Sequence, residues 1–379
     1  MIDTIKQKNT IPLSKPYLGK EELIEIERVM TTGCCAGTCP EVHRFEESFA
    51  HFVGSRYAVA TSSCTTALHL ACLALGVNNK SNIIVPAYTF PATAFAPLYC
   101  GADVQIADVE PDTFNIDVTG LSDVAGLSDL GTVDVVMPVH CFGNPADMDA
   151  IKDYAEDKDA KIIEDAACAI PAYHQSKHAG TIGDVGCYSF YAIKNLCTGE
   201  GGMLVTDNEE IAEKARSLCD FGKTTFKPLP RFTQLGYNYR LSSIQAAMGI
   251  EQLKKLPWMH SRRLKIAKRY DEFIESELSN YAHSQVVQDR CTSAYQRYAI
   301  VLNPRINRDN VMEQMAKKGI QTAIGTYDIS TQPYFSSSHK ECAVSRILFE
   351  QSISLPMYPE LSEEEVDTVC AVLKECVKH

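Results

Sequence analysis

No run in this chain is long enough and apolar enough to cross a membrane as a helix. The opening stretch, MIDTIKQKNTIPLSKP, lacks the apolar core of a secretory signal, so the cytoplasm is the expected compartment. Positive charge is in deficit: 36 Lys and Arg stand against 48 Asp and Glu, a net charge of -12. Sequence-independent nucleic-acid binding needs a basic surface and is excluded on that ground. An anionic small ligand is not, because one site can be locally positive on an acidic protein. There is no CxxC pair, and no histidine completes a zinc spacing beside the cluster Cys34, Cys35 and Cys39, so no metal site is expected. In a reducing compartment the 15 cysteines are expected to be free thiols. Internal repeats and low-complexity runs are missing as well.

What is present is ordinary for a globular protein. The 379 residues are 45% hydrophobic and 22% charged, enough for two or three domains. Helical periodicity runs over 20–32 and 41–53, with Gly33 and Gly37 marking a loop between them. Strands are expected at 57–61, 82–86, 104–107, 133–139, 161–165, 186–190 and 203–206. Helices follow the first two, and another covers about 146–157. This alternation to about residue 220 predicts an α/β fold with a mainly parallel sheet covered on both faces. Residues 240–255 and 260–279 read as two helices, the second a bridge. A strand at 296–302 and helices near 308–318 and 362–377 suggest a smaller α+β unit. The expected division is 1–258 and 259–379.

One stretch organises the rest. Residues 184–206 read DVGCYSFYAIKNLCTGEGGMLVT, with one lysine, Lys194, in a segment otherwise mostly apolar, small or glycine. Gly199, Gly201 and Gly202 allow a tight loop between two buried strands. Burial disfavours the ammonium form of a lysine. A neutral amine is a nucleophile able to form a Schiff base with an aldehyde, and pyridoxal phosphate (PLP) is the usual aldehyde bound so. A lysine snorkelling at a sheet edge would read the same way. PLP also needs an acid at its ring nitrogen and a phosphate cradle.

Both have candidates. Tyr57–Thr61 runs into Ser62-Ser63-Cys64-Thr65-Thr66 and on into a helix. Backbone N–H groups at a helix start favour an anion, and hydroxyls add donors. Plain N-capping is the alternative. Tyr88 and Phe90 follow a strand where open α/β sheets bind ligands, placed to stack on a flat ring or simply to fill core. The strand KIIED ends in Glu164 and Asp165. A buried acid is expensive unless paired, and a protonated pyridine nitrogen is a suitable partner.

In chain order, the segments TSSCTTALHLA, PAYTFPATA, VHCFGNPADMD, EDAA, SFYAIKN…GEGG and GYNYRLSSIQAAMG resemble the DegT/StrS group of fold-type I PLP aminotransferases. The match extends from IPLSKPYLG to SLPMYPELSEEEVD. The resemblance implies an aspartate aminotransferase-like large domain with a smaller C-terminal α+β domain. It implies that Lys194 matches the Schiff-base lysine and Asp165 the acid at the pyridine nitrogen. Thr65, Thr66 and Ser189 match phosphate contacts, and Phe90 matches the aromatic stacked on the ring. Asn238 matches an asparagine that reaches the partner subunit's phosphate site, which implies a homodimer with shared active sites. Arg240 matches a residue that orders that loop or meets a sugar nucleotide. His140, Tyr191 and Tyr327 are further substrate candidates.

The chain also departs from the pattern. Cys168 stands after EDAA, where His or Gln is usual beside the cofactor, and GTYDISTQPYF lacks a histidine common near residue 326. Cysteines occupy 34–39, beside the substrate site of relatives. The resemblance implies a ping-pong aminotransferase using L-glutamate and a keto-sugar, most often a nucleotide-linked 3- or 4-keto-6-deoxyhexose. Other readings are an inosose-like cyclic ketone as substrate, a PLP-dependent sugar dehydratase, and a PLP-binding regulator without turnover. Some relatives that dehydrate sugars carry histidine in place of the lysine; Lys194 favours transamination.

Overall fold

A computed structural model describes residues 10–121, 132–224, 229–335 and 342–378. The opening residues 1–9, part of the stretch read as lacking a signal sequence, lie outside this set. Among the described residues no helix is long and apolar enough to cross a membrane.

Two helices, α1 (Lys20–Thr32) and α2 (Pro40–Val53), lead into a sheet of seven strands. These are β1 (Tyr57–Thr61), β2 (Asn82–Pro86), β3 (Asp103–Ala107), β4 (Val135–Val136), β5 (Lys161–Asp165), β6 (Val185–Ser189) and β7 (Gly202–Thr206). Their order is β1-β7-β6-β5-β4-β2-β3. Pairing is parallel from β3 through β6, and only β7 runs against its neighbours β6 and β1. The expected mainly parallel mixed sheet is therefore present. Its central strands are buried over their whole length, which is why they read as unbroken apolar runs rather than alternating ones. The strand expected over 133–139 is shorter, because only Val135 and Val136 form regular ladder pairs.

Helices α3 (Cys64–Leu75), α4 (Ala92–Tyr99), α5 (Met148–Lys158) and α6 (Glu209–Cys219) connect the strands. Leu68, Leu70 and Ala71 of α3 pack with Val85, Ile163 and Leu204 on one face. Phe45 and Phe49 of α2 meet Tyr188 and Phe190 on the other. Burying aromatic rings of this size fixes the layers at several kcal/mol, roughly 1.5–3 for each large apolar side chain.

One helix, α7 (Ser243–Glu277), stands where two were expected. Pro257 lies inside it. A proline removes one helical N–H, but here packing on both sides of it carries the helix through. Leu253, Leu256 and Met259 join the α2 side of the sheet, and Ile266, Ala267, Tyr270 and Ile274 join a second core. The expected division at residue 258 falls in the middle of this helix.

The second core is built on strands β8 (Ala282–Ser284), β9 (Tyr298–Leu302), β10 (Ala323–Ile324) and β11 (Ser352–Leu355). They are antiparallel in the order β8-β9-β11-β10. Helices α8 (Arg308–Lys317) and α10 (Glu363–Lys378) cover it, and α9 (Ala343–Gln351) faces the large sheet's side. Ile11 bridges to Ile320, so the N-terminal segment packs on this unit.

One expectation about the cysteines is corrected here. Cys34 and Cys39 form a disulfide, with Cα atoms 5.9 Å apart. The loop from Gly33 to the start of α2 doubles back, bringing the two within bridging distance. A search for CxxC and zinc spacings does not detect such a turn.

Candidate active site

The parallel strands deliver their carboxyl ends to one edge of the sheet. Because β7 is antiparallel, its first residue lies at that same edge: Gly202 pairs with both Thr61 and Ser189. The segments that follow β1, β2, β5 and β6 therefore converge. There they line a cavity of about 470 Å³, bounded among others by Ser63, Thr65, Phe90, Asp165, Cys168, Ser189, Tyr191 and Lys194.

The two acids that end β5 part company. Glu164 turns away from the cavity and is fully buried. It accepts hydrogen bonds from the N–H groups of Gly180 (2.7 Å), Ile182 (2.6 Å) and Gly183 (2.6 Å) and from His140 Nε2 (3.0 Å). Burial pushes its carboxyl upward, but the ring and the backbone donors outweigh that and hold it below the ordinary value. His140 Nδ1 accepts from the N–H of Ala146, so the ring is the Nε2–H tautomer. His140 is 0% exposed and does not line the cavity. The side chain expected at the substrate holds Glu164 instead, because alternation along this crossing points it to the other layer.

Asp165 faces the cavity. Its Oδ2 accepts from Thr93 Oγ1 at 2.8 Å and its Oδ1 from the N–H of Ala167 at 3.1 Å. Thr89 in turn bonds Thr93 at 2.9 Å. Burial raises the Asp165 carboxyl despite these donors, with Lys194 and His140 too weak to reverse it. Among the described residues this acid has no close cationic partner.

Lys194 sits on the turn after β6. Its Nζ lies 2.9 Å from Cys168 Sγ, so the departure at 168 meets the lysine directly. Across the cavity begins α3. Ser63 and Thr66 close a reciprocal cap there: the Thr66 N–H donates to Ser63 Oγ, and the Ser63 N–H donates to Thr66 Oγ1. Of the two threonines expected at a phosphate, Thr66 is thus engaged in capping and only Thr65 lines the cavity. The N–H groups of Cys64 and Thr65 have no hydrogen-bond partner among the described residues. Gly202 lets β7 lie against this turn, since a Cβ there would stand 2.4 Å from the Ser63 carbonyl carbon. Ser189 Oγ completes this side.

Phe90, 62% exposed, forms one wall, with its ring 6.2 Å from that of Tyr327. Tyr191 lines the cavity. Tyr327 does not line it, although its neighbours Gly325 and Thr326 do. Asn238 and Arg240 lie elsewhere, on a second hollow with residues 35–38 and Asp220. Asn238 is exposed, while Arg240 Nη1 donates to Asp220 at 2.6 Å and its guanidinium covers the Phe221 ring at 5.0 Å. Neither reaches this chain's own cavity. Sequence reasoning missed Thr93, Gln296 and Arg297. Thr93 sat in the quoted PAYTFPATA segment, but nothing in a sequence says that its hydroxyl meets an acid 72 residues on.

The donor set fits one kind of group. Unpaired helix-start N–H groups with Thr65 and Ser189 suit a phosphate. A buried carboxylate short of a cation suits a protonated ring nitrogen. An amine beside them suits an aldehyde, and an exposed phenyl wall suits a flat ring. This is the chemistry of PLP.

Comparison with known proteins agrees. Residues 16–374 match the family model described as the DegT/DnrJ/EryC1/StrS aminotransferase family. The chain is 34% identical over 388 residues to the uncharacterized protein MJ1066 of Methanocaldococcus jannaschii, with 98% of each covered. It is 33% identical over 393 residues to the spore coat polysaccharide biosynthesis protein SpsC of Bacillus subtilis, again with 98% of each covered. Its structure superposes on that of the aminotransferase TlmJ from Streptoalloteichus hindustanus with a TM-score of 0.90 at 27% identity, covering 98% of this chain and 99% of the other.

Proposed function

This chain belongs to the DegT/DnrJ/EryC1/StrS aminotransferase family, and from that premise we propose that it moves an amino group from L-glutamate to a nucleotide-linked 3- or 4-keto-6-deoxyhexose in two alternating half-reactions. It is an aminotransferase, and its cofactor is PLP. When bound, PLP supplies an electron sink for the carbon that loses its proton.

The observation that carries the reading is the meeting of Lys194, Asp165 and the start of α3 at one cavity. In this reading the free N–H groups of Cys64 and Thr65, with the Thr65 and Ser189 hydroxyls, hold the phosphate. Asp165, oriented by Thr93 and the Ala167 N–H, keeps the ring nitrogen protonated. Phe90 covers the ring. Lys194 Nζ would hold the cofactor at rest, and as a free amine it would serve as general base at the donor Cα in one half-reaction and as general acid at the acceptor carbon in the other. Cys168 Sγ steadies that amine between the two acts.

The rest of the proposal concerns surroundings. The description of SpsC as a polysaccharide biosynthesis protein supports a sugar acceptor. Asn238 is exposed and turned away from its own cavity, which supports its service to a second protomer in a homodimer. Arg240, tied to Asp220, orders that loop. The cytoplasm supplies both glutamate and sugar nucleotides. The test is an absorption spectrum of the purified protein before and after L-glutamate, beside Lys194→Ala. A visible band present in the wild type, absent in the variant and discharged by glutamate supports the reading. A band that no α-amino acid discharges overturns it.

A further inference from the structure

Two neighbouring side chains in the cavity wall remain without a role. Gln296 and Arg297 precede β9 and line the cavity that holds Lys194 and Asp165. Gln296 is 3% exposed. Its Nε2 donates to the carbonyl of Ile193, the residue before the lysine, at 3.0 Å. That bond fixes the orientation of the amide, and it leaves Oε1 buried with no hydrogen-bond partner among the described residues. An unpaired buried acceptor is costly unless something fills it.

Arg297 is tethered at one corner only. Its Nη1 donates to the carbonyls of Ile324 (3.2 Å) and Gly325 (2.9 Å). Nε and Nη2 make no hydrogen bond to any described residue. No other arginine lines this cavity among the described residues, and Lys194 is the other cation. A planar fork with N–H groups to spare is the group best matched to a carboxylate, which it grips with two parallel bonds.

We propose that Gln296 and Arg297 form the subsite for the amino donor: Arg297 takes the α-carboxylate of an amino acid, and the bare amide oxygen of Gln296 accepts from its amine as it arrives. A group that accepts on one side and donates on the other matches this pair, and an α-amino acid is such a group. A keto-sugar carries no carboxylate beside its carbonyl, so the pair discriminates the donor rather than the acceptor. The tether to the Ile193 carbonyl places this subsite next to the lysine that the donor amine must displace. This inference rests on the aminotransferase reading.

The experiment follows the two halves separately in the PLP-loaded protein. Discharge of the visible band by L-glutamate reports the first half, and its return with a 2-oxo acid or a keto-sugar nucleotide reports the second. Binding of 2-oxoglutarate to the loaded protein by calorimetry gives a readout apart from turnover. Arg297→Gln is expected to raise the glutamate concentration for half-maximal discharge by about ten- to a hundredfold, the loss of one charge-assisted contact. It is expected to weaken 2-oxoglutarate by a similar factor and to leave PLP capture and recovery with the sugar nucleotide within about threefold. Arg297→Lys, which keeps the charge without the fork, is expected to fall between, and Gln296→Leu to show a smaller rise with the same pattern. Equal donor dependence in wild type and Arg297→Gln overturns the proposal, as does a defect confined to the sugar-nucleotide half. A wild type whose band no α-amino acid discharges defeats the aminotransferase reading itself, a distinct outcome.

Discussion

The Nζ of Lys194 points at the thiol of Cys168, 2.9 Å away. Two residues that sequence analysis treated separately, one as the cofactor lysine and one as a departure from the family pattern, share one contact. Lys194→Ala is expected to fold, to show no visible PLP band, and to lose at least about a hundredfold in donor-dependent proton transfer. Cys168→Ala removes only the weak partner. It is expected to keep the band and to change the rate of the first half-reaction by less than about tenfold, roughly the worth of one modest hydrogen bond. Stopped-flow absorption distinguishes the two variants.

Asp165 is raised chiefly by burial, so in the cofactor-free protein its carboxylate opposes folding. Its folded value lies above the ordinary 3.8, and the folded state therefore binds more protons between the two values. Stability of the cofactor-free protein falls as pH rises through that window. Asp165→Asn removes the charge and is expected to be at least as thermostable as wild type at neutral pH without PLP. With PLP it is expected to lose about 10²–10⁴-fold in turnover. Thermal melts with and without cofactor check both halves.

The acid beside it behaves in the opposite sense. Glu164 is held below its ordinary 4.5, so its contribution is present above that pH and is lost as pH falls toward the folded value. Glu164→Ala would leave three backbone N–H groups and the His140 ring unpaired in the core. A loss of about 3 kcal/mol or more is expected. His140→Ala removes one of four donors and is expected to cost less, about 1–3 kcal/mol, with the visible PLP band retained. Urea unfolding measures both.

The Cys34–Cys39 bridge closes a short loop at the second hollow. The backbone there is tied to α7, since Ser243 Oγ donates to the Cys34 carbonyl. Chain-entropy arguments give such a loop about 2 kcal/mol of stabilisation. Cys39→Ser is expected to lower the melting midpoint by a few degrees under non-reducing conditions, and a reducing agent is expected to shift the wild type alone. Thiol titration under denaturing conditions checks the pairing, with 13 free cysteines expected besides the bridged pair.

Much of this architecture was legible in the sequence. Buried parallel strands carry continuous apolar runs, and turns between them carry Gly, Ser and Thr, so β1, β2, β5, β6 and β7 were found within a residue or so. Lys194 and Asp165 stood out because a lysine among apolar residues and an acid ending a buried strand are both expensive without a purpose. Two helices, 240–255 and 260–279, were expected where one runs unbroken through Pro257. The helix continues through it because two cores hold its halves, a contribution that no local propensity contains.

What the sequence determined by itself was thus the order of elements, the layering and the residue types the chemistry requires, all set by local periodicity and burial. The tertiary structure decided which side chains share a cavity. It turned Asp165 toward the cavity and Glu164 and His140 away from it into the core, assigned Thr66 to a cap and left Thr65 in the cavity, and brought Arg297 to the wall that Lys194 occupies. Those outcomes depend on strand register and on contacts between residues far apart in the chain, where a shift of one position sends every side chain to the other face.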